Sequence, residues 1–242
     1  AGEFYFAQTT NEPITPGNLT VRLGTRNGIK QGVPVAGLDS GTIYVQRSGK
    51  SLNEMSFTDS ELAYTTANIS LLSSHLLNTP VDMAIRRSTS TEETDRLFVV
   101  NSADGSMSVY SILRSQNVIA PSQFTTSGNF LAVGIDVDTT YVIIKRTINS
   151  SDKYFVEVFD NTLHTDSAVY VTGTNATATA SHLVSTTVDV LNDGNVESQQ
   201  TTNRSGVITL SRTTASNYEM GLPFTISIQT MPVQPSSTGG VS

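Results

Sequence analysis

The sequence predicts an all-β protein built from antiparallel meanders. Three observations carry this. Ser and Thr make up roughly a quarter of the 242 residues, well above ordinary usage; Thr suits pleated, half-buried surfaces, and Ser with Gly and Asn suits turns. Short apolar/polar alternations recur along the chain, each bounded by Gly, Asn, Asp or Ser. Charged residues are only 14% of the chain, and Glu/Lys-rich amphipathic stretches are few, so long solvent-facing helices are not expected.

In chain order, Glu3 to Gln8 reads as a short aromatic strand. Leu19 to Gly24 is a second, entered through the turn Pro16-Gly17-Asn18. Gly28 to Val35 is punctuated by Gly and Pro and reads as loop. Thr42 to Arg47 alternates, and Ser48-Gly49-Lys50 turns the chain into Ser51 to Phe57, a hairpin. Asn68 to Leu77 is the one helix candidate: Ile69, Leu72, Leu76 and Leu77 recur at helical spacing, Asn68 or Ser70 caps the start and Pro80 stops it.

Arg96 to Asn101 and Ser106 to Leu113 flank Asp104-Gly105, the strongest hairpin signal in the chain. Phe130 to Asp136, Thr140 to Thr147 and Lys153 to Asp160 continue the meander through turns at Val137-Asp138-Thr139 and Asn149 to Asp152. Ser167 to Thr172 is one more strand. Gly173 to Ser181 is small and polar and reads as a linker or exposed loop. Beyond it, Val188 to Leu191 and Asn195 to Ser198 flank Asn192-Asp193-Gly194, a further hairpin. Gly206 to Leu210 and Thr225 to Gln229 complete a second unit.

The expected organisation is a propeller-like or sandwich β domain over 1–172, a C-terminal β module over 173–234 and a flexible tail over 235–242. About four strands fall in each 40-odd residues, the length of a propeller blade; a sandwich with long loops fits nearly as well. The start lacks the basic and apolar regions of a signal peptide. Both ends read as cuts through a longer polypeptide.

The net charge of −7 argues against non-specific nucleic-acid binding, which needs a basic surface. Simple solubility accounts for it, and an acidic surface that DNA slides past is compatible with it. The absence of Cys excludes disulfides, thiolate metal sites and Cys nucleophiles. No run of about 18 apolar residues marks a membrane span.

No catalytic, metal or cofactor constellation is found. His75, His164 and His182 are isolated and lack partners at metal-ligand spacing. Asp136-Val137-Asp138 has half the look of a calcium loop but lacks its Gly and closing Glu, and reads as a turn. Glu92, Glu93 and Asp95 beside Arg86 and Arg87 lie in a Ser/Thr-rich stretch that reads as a solvated loop. A propeller hydrolase would need convergent carboxylates, of which Asp136, Asp138, Glu157 and Asp160 are the candidates. Tyr5, Tyr44, Tyr64, Tyr110, Tyr141, Tyr154, Tyr170 and Tyr218 mostly fall inside strand patterns, where packing is the default. The Asn-X-Ser/Thr triplets at Asn18, Asn68, Asn149, Asn175 and Asn203 arise by chance in so Ser/Thr-rich a chain.

Two sets of motifs carry a family resemblance. The first is the order FYFAQTTNEPITPGNLTV, GLDSGTIYVQRSGKSLNEMSF, LFVVNSADGSMSVYSIL and VIIKRTINSSDKYFVEVFD. The second is VDVLNDG, GVITL and GLPFTISIQTMPV. In that order and spacing they resemble the tail hub or nozzle proteins of tailed bacteriophages. One departure is Val184-Ser185 after His182-Leu183, where the family often has an acidic residue and Gly. The resemblance implies a structural component of the virion, made in the host bacterial cytoplasm, without catalytic activity or cofactor. It implies a homo-oligomeric ring, commonly six-fold, around the DNA channel, in contact with other tail proteins and fibres. A glycan- or receptor-binding β module using exposed Tyr and Asn/Asp loops is the alternative.

Overall fold

The alternating segments pair with their sequence neighbours because tight turns bring consecutive strands together at little entropic cost. The computed structural model describes residues 2–6, 13–38, 41–90 and 92–230. Strands β1 (Glu3–Phe6) and β2 (Val21–Thr25) form a hairpin. Strands β3 (Ala36–Leu38), β4 (Gly41–Val45), β5 (Leu52–Thr58) and β6 (Ala63–Asn68) form a four-stranded meander in that order. A second comprises β7 (Pro80–Arg86), β8 (Asp95–Asn101), β9 (Met107–Leu113) and β10 (Val118–Phe124). Strands β11 (Asn129–Asp136), β12 (Thr139–Ile148) and β13 (Ser151–Val158) form a three-stranded one.

The remaining strands are β14 (Asp166–Thr172), β15 (Thr177–Thr179), β16 (Thr187–Asn192), β17 (Asn195–Val196), β18 (Gln200–Thr201), β19 (Val207–Thr209) and β20 (Asn217–Leu222). They build a C-terminal sheet in the order β14-β20-β16-β17, with β18 also on β16, while β15 pairs with β19. Among the described residues all pairings are antiparallel and no sheet closes into a barrel. The fold class is therefore all-β, as the sequence predicts.

Strand periodicity explains how the meanders stack. In the β7–β10 sheet, Leu97, Val99, Tyr110 and Ile112 lie on one face and join Ile43, Val45 and Leu52 of the preceding sheet in one core. The alternate residues Phe98, Val100, Met107 and Val109 lie on the other face and join Phe130, Val133, Val142 and Ile144 of the following sheet. The central strands β8 and β9 of the middle sheet are thus buried on both sides, while its edge strand β10 is exposed. The β1–β2 hairpin covers the far side of the β3–β6 sheet, with the Tyr5 and Tyr64 rings 5.0 Å apart and Gly24 tight against Met55. A third core, with Leu183, Val188, Val190 and Met220 at its centre, holds the C-terminal sheet and reaches Ile148 on β12 and Phe155 on β13.

Three expectations are corrected. Asn68 to Leu77 is not a helix. Asn68 ends β6, and the chain then turns into a 3-10 segment at Ser74–Leu76. One local and one long-range bond outcompete the helix: Ser70 N–H donates to Asn68 Oδ1 (2.9 Å) and Leu52 N–H to the buried Ser70 Oγ (2.8 Å). Leu72, placed by the periodicity on the buried stripe, is 93% exposed. Gly173 to Ser181 is not a linker. It contains β15, and Ala178 and Ala180 are fully buried; their small size permits close packing rather than flexibility. Thr225 to Gln229 is in no strand, and its Ile226 and Ile228, like the preceding Phe224, are exposed.

Strand β14, grouped by the sequence with the first domain, is an edge of the C-terminal sheet through its pairing with β20. The aromatic strand at the start is present as Glu3–Phe6, and Ala7 and Gln8 lie outside the described residues, as does the tail over 235–242.

Candidate functional site

The alternation of β12 places Thr140, Val142, Ile144, Arg146 and Ile148 on one buried face. A guanidinium in that apolar row has to find carboxylates. Arg146 is fully buried, and Glu157 on β13 and Asp166 on β14 meet it. Its Nε donates to Glu157 Oε1 (2.8 Å) and its Nη2 to Glu157 Oε2 (2.7 Å) and Asp166 Oδ1 (2.8 Å). Its Nη1 donates to Asp166 Oδ2 (2.9 Å) and the Ser127 carbonyl (3.2 Å). All five guanidinium N–H groups are spent.

Asp166 also accepts from Thr126 Oγ1 (2.6 Å) and Ser127 N–H (3.1 Å). Burial pushes the Asp166 carboxyl up, but the hydrogen bonds from Arg146 and Thr126 outweigh it and hold the group below its ordinary value. For Arg146, burial alone would favour the neutral form, and the bonds to Glu157 and Asp166 reverse that, raising its pKa. With every donor satisfied, the cluster has nothing left for a ligand. It ties the three-stranded sheet, the loop before it and the C-terminal sheet at one point.

Next to this cluster Ser167 has a left-handed backbone, φ +53. Its hydroxyl lies 3.1 Å from Glu157 Oε1 and 3.2 Å from His182 Nε2. These are the residue types of a nucleophile, base and acid, but the bonding opposes that use. His182 Nε2 is also 3.0 Å from the Ser167 carbonyl, which can only accept, so Nε2 carries the proton and cannot take one from the hydroxyl. The hydroxyl instead donates to Glu157. Beside them, Ile148, Phe155 and Val184 floor an open groove of about 370 Å³ whose rim carries Lys153, Ser181 and His182.

The other sequence candidates are scattered. Of Asp136, Asp138, Glu157 and Asp160, only Glu157 enters the cluster. Asp138 accepts a 3.4 Å bond from Thr139 Oγ1, and Asp160 is capped by the hydroxyl and N–H of Thr162, which lower its pKa. Glu93 accepts from Arg86 and from Thr89, and Asp95 accepts from Ser88 N–H (2.6 Å), so both carboxylates brace their own loop. His75 is exposed. His164, two-thirds exposed, lies 3.3 Å from the buried Glu219. Among the described residues no three His, Cys, Asp or Glu side chains converge as a metal site. Tyr44, Tyr110 and Tyr218 are core residues, whereas Tyr141, Tyr154 and Tyr170 face solvent.

Asp193 shows how a turn carboxylate is used. It sits at φ +48 before Gly194 at φ +76, the backbone of a type I′ hairpin. It accepts the N–H groups of Ala215 (2.9 Å), Ser216 (2.8 Å) and Asn217 (3.0 Å). Those bonds, with Arg212 nearby, hold its pKa at about 2 against an ordinary 3.8. A depressed acid contributes stability above its unfolded pKa and loses it as pH falls through the folded value. Wild type is therefore expected to melt above Asp193→Asn at pH 5, with the gap closing between about pH 4 and pH 2. Thermal melts across that range check this, and a gap independent of pH would contradict it.

The cluster escaped the sequence reading because Arg146, Glu157 and Asp166 lie on different strands. The signal available was one charged residue in the inward row of β12. The Ser167–His182 pair left no signal: His182 enters the sequence reading only through the His182-Leu183 element of the resemblance, which does not point to Ser167. Compared with protein-family models and with curated proteins, the chain matches none.

Proposed function

We propose that the chain is a structural component of a bacteriophage virion, part of a ring-shaped tail hub or nozzle around the DNA channel. The order of hairpin motifs that resembles this family carries the reading. The architecture supports it: successive meanders stack face to face, in the manner of propeller blades, and the buried Arg146 cluster is consumed in bracing. A stack of that kind resists bending, and the net charge of −7 keeps phosphate from adhering to it. In this reading the partners are further copies of the chain, neighbouring tail proteins and fibres. The site of action is the virion, after assembly in the bacterial cytoplasm.

Negative-stain electron microscopy of the purified chain tests this. Closed rings of one diameter are expected, and open filaments or single particles at every concentration would overturn it. Duplex DNA is expected to pass a column of immobilised chain without retention at low salt.

The groove beside Phe155 favours a second reading, a glycan- or receptor-binding module. An apolar floor with hydroxyl, imidazole and ammonium groups at the rim suits a hydroxylated ligand. A glycan array without a binder at high protein concentration would end that reading.

A further inference from the structure

The sheets form a stack with two ends, and both ends are apolar. At one end is the outer face of the β11–β13 sheet. The register places Tyr141 opposite Val158, Ile143 opposite Val156 and Lys145 opposite Tyr154, all on that face. Tyr154 is 64% exposed and Val156 72%, and Tyr141, Ile143 and Val158 are exposed beside them. The inner face of the same sheet is covered by the second meander and the C-terminal sheet. At the other end is the β1–β2 hairpin. Phe4 lies opposite Leu23 and Phe6 opposite Val21. All four are exposed, while Tyr5 between them turns inward to Tyr64.

A sheet whose outer row is apolar as well as its core row has the pattern of a sheet covered on both faces. The sheet end offers on the order of 500 Å² of apolar side chain and the hairpin end about 400 Å², within the range of the largest patch a monomer leaves bare. With a polar rim this approaches the ~800 Å² per partner buried in a stable interface. The levels between are closed by one apolar sheet face on another, and each end has such a face without its cover, so the two ends of successive copies can close each other in the same way.

We propose that the outer face of the β11–β13 sheet is a self-association surface, seated against the apolar face of the β1–β2 hairpin of a second copy of this chain. The contact is head-to-tail, so it closes into a ring or runs on as an open filament according to the rotation between copies. It rests on the surface chemistry alone and stands whether or not the assembly is a phage tail.

Analytical ultracentrifugation of the full chain tests it. Wild type is expected to self-associate, and more tightly as salt is added, because the contact is apolar and both copies carry −7. Val156→Glu on the sheet and Phe6→Glu on the hairpin are each expected to weaken association by at least about 30-fold. Circular dichroism checks that each variant is folded, and Tyr154→Ser and Phe4→Ser replace any that is not.

Mixing the two variants decides the geometry. Each retains the face the other has lost, so the mixture is expected to form pairs that grow no further. A monomeric wild type, variants that associate like wild type, or association that weakens with salt would overturn the proposal. A Phe6→Glu chain that still dimerises alone, while Val156→Glu does not, would show the sheet face pairing with itself and overturn it too. Rings that survive Val156→Glu would overturn this contact and leave the ring reading standing. Filaments abolished by Val156→Glu would do the reverse.

Discussion

Arg146→Ala is expected to destabilise the protein by about 3–5 kcal/mol, lowering the melting temperature by roughly 10 °C. The loss comes less from five hydrogen bonds than from what is left behind. Glu157 and Asp166 have side chains only 19% and 18% exposed, and without the guanidinium they face each other as uncompensated charges. The clamp joins β12, β13 and β14, so the C-terminal sheet should loosen first. Hydrogen exchange is expected to quicken in β14 and β20 before it does in β8 and β9. Removing all three charges together, as Arg146→Met with Glu157→Gln and Asp166→Asn, should cost less than Arg146→Ala alone. A loss below about 1 kcal/mol for the single variant would mean the cluster is hydrated and does not act as a strut.

Gly206→Ala is the second large effect, at about 2–4 kcal/mol. Gly206 has φ +73, which an L side chain adopts only under strain. The Cβ it would gain lies 2.1 Å from the carbonyl oxygen of Ala180 and 2.8 Å from its carbon, both backbone atoms that cannot swing away. Gly206 also accepts the Ala180 N–H (2.9 Å), so yielding there breaks a bond beside the buried β15. Denaturant melts compared with Gly194→Ala separate the two contributions. Gly194 also has positive φ but open space around it, so it should show the backbone cost alone.

The hairpins were legible because their information is local. Asp104-Gly105 and Asn192-Asp193-Gly194 state a turn in two or three residues, and the flanking alternation states the strands. What failed was information held elsewhere in the fold. The helical spacing of Ile69, Leu72 and Leu76 is real, but Ser70 is claimed by Leu52 from a neighbouring strand, which no local window includes. The small residues from Gly173 to Ser181 look the same whether they flex or sit under a sheet, and only the pairing of Ala178 with Ile208 decides it. The Arg146 cluster joins three strands, and its sequence trace is a single inward charge. The apolar outer faces were present as alternation, yet alternation does not say which of two faces the core will take.

The order β14-β20-β16 has a consequence for synthesis in time. Each meander can close as soon as its own strands leave the ribosome, because partner strands are adjacent in the chain. Strand β14 cannot, since its partner β20 begins roughly 45 residues after β14 ends, a delay of seconds at about 5–20 residues per second. Until then Asp166 has no sheet to hold it in place, and Arg146 waits with one of its two carboxylates unanchored. Strand β20 is therefore the one that locks the earlier sheets to the C-terminal one. A nascent chain halted before Asn217 should hold its meanders folded and its final sheet open to protease.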